Sequence, residues 1–217
     1  MRTPPVADAA IQSPYKSHLD LRVVYLKNMG LWPTARVMAW QAARQVYYRV
    51  RGYRKGRAYL LRDTLRMHLR QWRADKFLTG PRMARLADME GRKFVFFPLH
   101  TEPETALQRS SPEYFFQLGA IASLARDLPA DHVLVVKETY ENRGRRPDNF
   151  YAQILSFKNV VLMDMLELGL EVVKRARAVA TISGTAGMEA AVLGVPVISF
   201  GRHNLYNFLP HVRVIGR

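Results

Sequence analysis

Four groups of polar residues follow short apolar runs between residues 93 and 204 of this 217-residue chain, and their types could do chemistry. They are Leu99-His-Thr-Glu-Pro-Glu104, Lys137-Glu-Thr-Tyr140, Ser183-Gly-Thr185 with Glu189 behind it, and Gly201-Arg-His-Asn204. Ser183, Gly184 and Thr185 sit where an apolar run hands over to a helix, so their amides and hydroxyls suit an anion such as phosphate. A plain helix cap explains the same residues. Glu189 comes one turn later, where a carboxylate can accept hydrogen bonds from two vicinal ribose hydroxyls or compensate the helix dipole. Lys137 can neutralise a phosphate, or join a salt bridge at a sheet rim. His100, Glu102 and Glu104 are the densest titratable group and could do acid/base work, or merely make a loop polar. Arg143, Arg145 and Arg146 flank Gly144 as an anion clamp or as a solvated basic loop. No cluster has the spacing of a metal site, and no Walker loop or Gly-x-Gly-x-x-Gly motif is present.

The elements that would carry these groups alternate. Lys93–Pro98, His132–Lys137, Asn159–Leu162, Ala178–Ile182 and Pro196–Phe200 read as short, nearly all-apolar strands. Pro112–Asp127, Asp148–Phe157, Leu166–Arg175 and Thr185–Leu193 read as helices between them. Such a pattern predicts an α/β fold, a Rossmann-like parallel sheet covered on both faces. Ligands of open α/β sheets sit beyond the carboxyl ends of the strands, so the four groups are expected to converge on one crevice.

Residues 1–90 differ in kind. They carry 18 Lys/Arg against 6 Asp/Glu, whereas residues 91–217 carry 15 against 12. Residues 1–20 read as a loose leader. Helices are expected over 34–50, with Thr34 as N-cap, and over about 57–77, followed by a short helical piece to Gly91. The second helix sets Leu61, Leu65, Leu69 and Trp72 on one face beside Arg62, Arg66, Arg70 and Arg73. These basic helices can pack on their own domain, lie on an anionic membrane surface, or meet nucleic acid, in that order of preference. The expected division is a basic helical leader or connecting region, 1–90, and a Rossmann-like domain, 91–217, that ends early for a sheet of this kind. There is no cysteine, no secretory signal and no apolar run long enough to span a membrane, which fits a cytoplasmic protein at or near the inner membrane face.

Taken together, Phe94-Val-Phe-Phe-Pro-Leu-His-Thr-Glu-Pro-Glu104, Val136-Lys-Glu138, Asn149-Phe-Tyr151, Thr181-Ile-Ser-Gly-Thr-Ala-Gly-Met-Glu-Ala190 and Gly194-Val-Pro-Val-Ile-Ser-Phe-Gly201 resemble capsule polysaccharide biosynthesis proteins. These are GT-B-type glycosyltransferases of bacterial surface glycans, akin to Kdo transferases. The resemblance covers about residues 90–207. It implies the nucleotide-sugar-binding half of a GT-B enzyme acting in capsule or lipopolysaccharide assembly, with a donor such as CMP-Kdo, a glycan or glycolipid acceptor, no cofactor and no nucleic acid. Ser183, Gly184, Thr185 and Glu189 would hold the nucleotide, Lys137 and Glu138 would lie on the donor side, and His100, Glu102 and Glu104 would face the reacting sugar. Relatives often carry His-Pro after the Lys-Glu pair, where this chain has Thr139-Tyr140. A non-catalytic nucleotide-binding or assembly module, and a nucleotide-sugar epimerase-like protein, are the alternatives.

Overall fold

The computed structural model describes residues 30–53, 61–102, 107–108 and 111–215. Six parallel strands form one sheet: β1 (Lys93–Pro98), β2 (His132–Lys137), β3 (Val160–Met163), β4 (Ala178–Thr181), β5 (Val197–Ser199) and β6 (Val212–Val214). Their order is β3-β2-β1-β4-β5-β6. The register runs Lys93 opposite His132 to Pro98 opposite Lys137, and Val95 opposite Ala178 across the central pair. This is the doubly wound order, and the direction of winding reverses between β1 and β4.

Apolar runs become parallel strands here because both sheet faces are covered. Val95, Phe97 and Leu99 face one core with Leu134, Val136, Ile121, Leu124 and Ile154. Phe94 and Phe96 face the other with Val135, Val172, Val173, Ala190 and Ala191. Helices α3 (Gln117–Asp127) and α4 (Phe150–Leu155) cover the first face, and α5 (Gly169–Arg175) and α6 (Thr185–Val192) the second.

β1 and β2 match the expected spans, and β3 to β5 match within one or two residues. β6 is an addition, three residues long and carrying Arg213, too short for any period to show. The helix expected over 112–127 is split into a 3₁₀ turn, Pro112–Tyr114, and α3, with Phe116 extended between them. The helix expected from Leu166 starts only at Gly169, because the Asp164 carboxylate accepts the Leu166 N–H at 2.8 Å and holds a turn there.

The basic region forms α1 (Leu31–Val50) and α2 (Leu61–Leu78). α1 begins three residues before the expected cap: Gly30 is the N-cap, and the Thr34 hydroxyl donates back to the Gly30 carbonyl at 2.7 Å. The end of α2 and the segment after it belong to the sheet's own cores, with Leu78 and Met83 in one and Leu86 and Met89 in the other. Met165 N–H donates to Leu78 O at 3.0 Å and Asp164 N–H to Ala84 O at 2.8 Å, so this segment shields the outer edge of β3.

Candidate functional site

Residues from β1, β2 and β4 meet above the point where the winding reverses, but in two separate groups. The first is closed. Glu138 has no exposed surface, and its carboxylate takes both arms of Arg146, Nε at 2.8 Å and Nη2 at 3.0 Å. The same carboxylate accepts the Tyr151 hydroxyl at 2.8 Å and the Thr139 N–H at 2.8 Å. Arg146, itself only 3% exposed, donates further to the His100 carbonyl at 2.7 Å, pairs with Glu102 at 2.9 Å and lies over the Phe150 ring. A buried ion pair persists only when its remaining hydrogen-bonding capacity is used, and here it is. Burial, with Glu138 adding to it, pushes the Tyr151 hydroxyl pKa well above its ordinary value.

His100 ties this group to β4. Its backbone N–H donates to Gln117 Oε1 at 2.7 Å, and the Gln117 amide donates back to the His100 carbonyl at 3.0 Å. Ring Nδ1 lies 3.3 Å from the same Gln117 oxygen, while Nε2 accepts the Ser183 N–H at 3.0 Å. That assigns the proton to Nδ1. Burial holds the imidazole neutral, its pKa lowered to about 4. The Gly184 N–H is also taken, by Thr181 Oγ1 at 3.0 Å. Two amides expected to cradle an anion are therefore used within the fold: that of Ser183 ties the β4 loop to His100 after β1, and that of Gly184 closes the loop on Thr181 of β4 itself. A similar corner closes the end of β5: Asn204 donates to the Ile182 carbonyl at 2.8 Å, and a Cβ on Gly201 would run into that same oxygen.

The second group is open. A cleft of about 160 Å³ lies between the ends of β1 and β2 and the starts of α5 and α6. Lys137, Thr185 and Glu189 share it, with Tyr140, Glu141 and Glu167; Glu138 contributes to its wall. Thr185 and Ala186 are the first two residues of α6, whose leading amides have no carbonyl partner inside the helix. Lys137 is 9% exposed, with Nζ 3.5 Å from the Glu138 carbonyl and 5.4 Å from the Tyr140 ring centre. Burial lowers its pKa to about 8, against the attraction of Glu138, Asp164, Glu167 and Glu141. Its ammonium is thus charged at neutral pH while largely removed from water, where an arriving anion gains most from it.

The four expected groups do not share one crevice: the cleft takes residues of the second and third groups, and none of Gly201–Asn204 or of the described part of Leu99–Glu104. Lys137, Thr185 and Glu189 face the cleft, and Glu138 faces it while committed to Arg146. His100 and Glu102 are inside the closed group, and Ser183 and Gly184 support it. Glu104 lies outside the described residues. The arginine loop is divided as well. Arg146 is buried, Arg145 is exposed, and Arg143 pairs with Asp75 of α2 at 2.9 Å. Tyr140 stood at the end of the second expected group, whereas Glu141 and Glu167 were not foreseen. Their one sequence signal was position, immediately after β2 and before α5. Among the described residues no group of His, Asp and Glu is arranged to hold a metal ion.

The sequence pattern of the family described as "Capsule polysaccharide biosynthesis protein" matches residues 36–209. Among solved structures the chain is similar to two from Thermosulfurimonas dismutans. The one titled KpsC, beta Kdo 2,4 transferase is 18% identical with a TM-score of 0.44, over 68% of this chain and 48% of that one. The one titled KpsC, beta Kdo 2,7 transferase is 20% identical with a TM-score of 0.44, over 68% and 46%. The N-terminal domain of Candida albicans trehalose-6-phosphate phosphatase is more distant, at 13% identity and a TM-score of 0.33, over 62% and 31%. The chain spans about half the length of the two KpsC structures. No curated protein matches its sequence.

Proposed function

This chain belongs to the capsule polysaccharide biosynthesis protein family, and from that premise we propose that it is the donor-binding half of a glycosyltransferase that takes sugar from a nucleotide-activated donor. The observation that carries the reading is the cleft itself. At the carboxyl ends of the strands, beside the reversal of winding, one lysine, one helix N-terminus and Glu189 meet around open space. Lys137 and the first amides of α6 would take the donor phosphate, and Glu189 the ribose hydroxyls. In the transfer, the bond from sugar to phosphate oxygen breaks, the nucleotide leaves with that electron pair, and an acceptor hydroxyl bonds to the sugar and gives up its proton to water or to the departing phosphate. Lys137 would stabilise the charge that develops on the leaving phosphate.

The charge of the cleft narrows the donor. Among the described residues, Glu141, Glu167 and Glu189 line it with Lys137 as the one cation, once Glu138 is matched by Arg146. Three carboxylates beside one ammonium disfavour a diphosphate and favour hydroxyl donors with one phosphate. A nucleoside monophosphate sugar fits that balance at its phosphate; the carboxylate of a sugar such as Kdo would have to lie clear of the three acids. Titration calorimetry with CMP, CDP and UDP checks it: CMP should bind most tightly. No binding of any of the three at millimolar concentration sinks the donor site. CDP or UDP binding tighter than CMP removes the single-phosphate argument alone.

One observation favours a second reading, a nucleotide-binding module without turnover. His100, Glu102 and Glu138, the groups best suited to proton transfer, are tied up in the closed group. A chain of this kind would bind nucleotide as above yet transfer no sugar, also when supplied with acceptor glycan and its partner half.

A further inference from the structure

Helix α1 is amphipathic in the wrong sense for a helix that packs only on its own protein. Six of its eight half-buried residues, Thr34, Val37, Met38, Gln41, Gln45 and Tyr48, fall on one face, and α1 packs against α2. That inner face includes three polar side chains. The opposite face carries Trp32, Ala35, Ala39, Ala43, Val46 and Val50, spaced three or four apart, and is exposed throughout. Trp32 is 85% exposed, Val50 81% and Val46 59%. α1 has no buried residue at all.

The flanks of this stripe have one sign of charge. Arg36 and Arg49 border it on its two sides, with Arg44 and Arg51 further round, and residues 30–53 contain no Asp or Glu. Arg44 stacks on Trp40 and Tyr48, and Arg51 on Tyr47, so these guanidinium groups ride on aromatic rings at the rim of the exposed face. Trp32, Trp40, Tyr47 and Tyr53 are all exposed there. Among the described residues no helix is long and apolar enough to cross a membrane.

We infer that the outward face of α1 docks on an anionic lipid bilayer, lying in the interface with Trp32, Val46 and Val50 below the headgroups and Arg36 and Arg49 at their level. An apolar stripe needs a medium that accepts it, and arginines on both edges select one with negative headgroups. Another protein could cover an apolar stripe, but a cation-only rim with tryptophan and tyrosine at its border is the composition of a lipid interface. The inference does not depend on what the cleft binds.

Flotation of the full chain with vesicles of phosphatidylcholine alone, or mixed with phosphatidylglycerol, tests it. Binding is expected to the mixed vesicles at low salt, and to weaken as salt rises. Trp32→Ser with Val46→Ser and Val50→Ser should abolish it. Arg36→Gln with Arg49→Gln should weaken it by about thirtyfold, at about fivefold per surface cation. Brominated lipid should quench the tryptophan fluorescence of the wild type and not of the serine variant. Because all five substituted residues are exposed, the thermal midpoint of both variants should match the wild type, which separates lost docking from lost folding. The inference falls if the chain ignores the anionic vesicles, or if the serine variant floats as the wild type does. It falls equally if sedimentation shows the stripe occupied by a second copy that anionic vesicles do not displace.

Discussion

The closed group around Arg146 and the open cleft around Lys137 lie on neighbouring strand ends and draw on the same residue types, yet they differ in what is left over. Around Arg146, partners come from several elements: Glu138 from just after β2, Glu102 and His100 from the β1 loop, Gln117 from α3 and Tyr151 from α4. Around Lys137 the carboxylates outnumber the cation, and water has access. Dense titratable residues therefore mark two different things here. A closed set holds three strand ends in register, and an open set beside it, where acids exceed cations, is where a solute gains by arriving.

If the closed group is structural, breaking it should cost stability first. Glu138→Ala leaves the Arg146 guanidinium buried without its main partner and should lower the unfolding free energy by about 4 kcal/mol. Urea denaturation measures it; a loss under 1 kcal/mol would dissolve the contrast between the two groups. His100→Ala comes next, at about 3 kcal/mol, since the Ser183 N–H loses its acceptor and Gln117 Oε1 loses the ring Nδ1–H, keeping only the backbone N–H of residue 100. Its pH signature is specific. The folded imidazole is neutral down to about pH 4, while the unfolded one takes a proton near 6.5. Between these values the unfolded chain binds more protons, so stability falls as pH drops from 6.5 to 4 and is constant in this respect above 6.5. His100→Asn should flatten that part of the profile. An unchanged slope would show that another group sets it.

Much of this arrangement could be read from the sequence. β1 and β2 stood out because Phe94 to Phe97 and Val133 to Val136 are continuous apolar runs, which a two-sided sheet demands. The rule that ligands collect at strand ends was enough to join Lys137, Thr185 and Glu189, because each lies at or just beyond such an end. What could not be read is which polar groups would be consumed. The path of the loop that delivers Arg146 to Glu138 depends on α2, seventy residues away. Gly144 adopts φ +72°, and a Cβ there would come within 2.7 Å of the Gln71 nitrogen. Arg70 then holds the Arg146 carbonyl at 2.9 Å, and Arg143 meets Asp75. No local pattern records a contact at that separation. The outward apolar stripe of α1 was hidden for a related reason: periodicity shows that a stripe exists, not which way it faces.

On the open side, Lys137→Met should act on binding rather than on folding. Losing one charge-assisted contact should weaken CMP binding about 10- to 100-fold. The unfolding midpoint at neutral pH should not fall, because a buried ammonium is itself unfavourable. In the wild type, CMP affinity should decline as pH rises through about 8, where Lys137 gives up its proton. Stability should instead rise between pH 8 and 10.5, because the unfolded chain binds the proton that the folded one has released. Both trends should be missing from Lys137→Met. A variant that unfolds more easily and binds CMP normally would move Lys137 into the structural group.

Glu189→Gln gives the smallest effect and the sharpest one. The glutamate interacts within the fold and also lines the cleft, so the amide, which keeps its shape, is preferable to alanine. If the carboxylate accepts ribose hydroxyls, exchanging it for a neutral acceptor should weaken CMP binding about fivefold. Inorganic phosphate should respond in the opposite direction. It has no hydroxyls to offer a carboxylate, and removing one of three negative charges around Lys137 makes the cleft more receptive to an anion. Titrating the same variant with both ligands therefore separates a hydroxyl acceptor from a bystander charge. Opposite signs place Glu189 on the ribose. Tighter binding of both ligands would leave it as part of the negative wall and hand the ribose to Glu141 or Glu167.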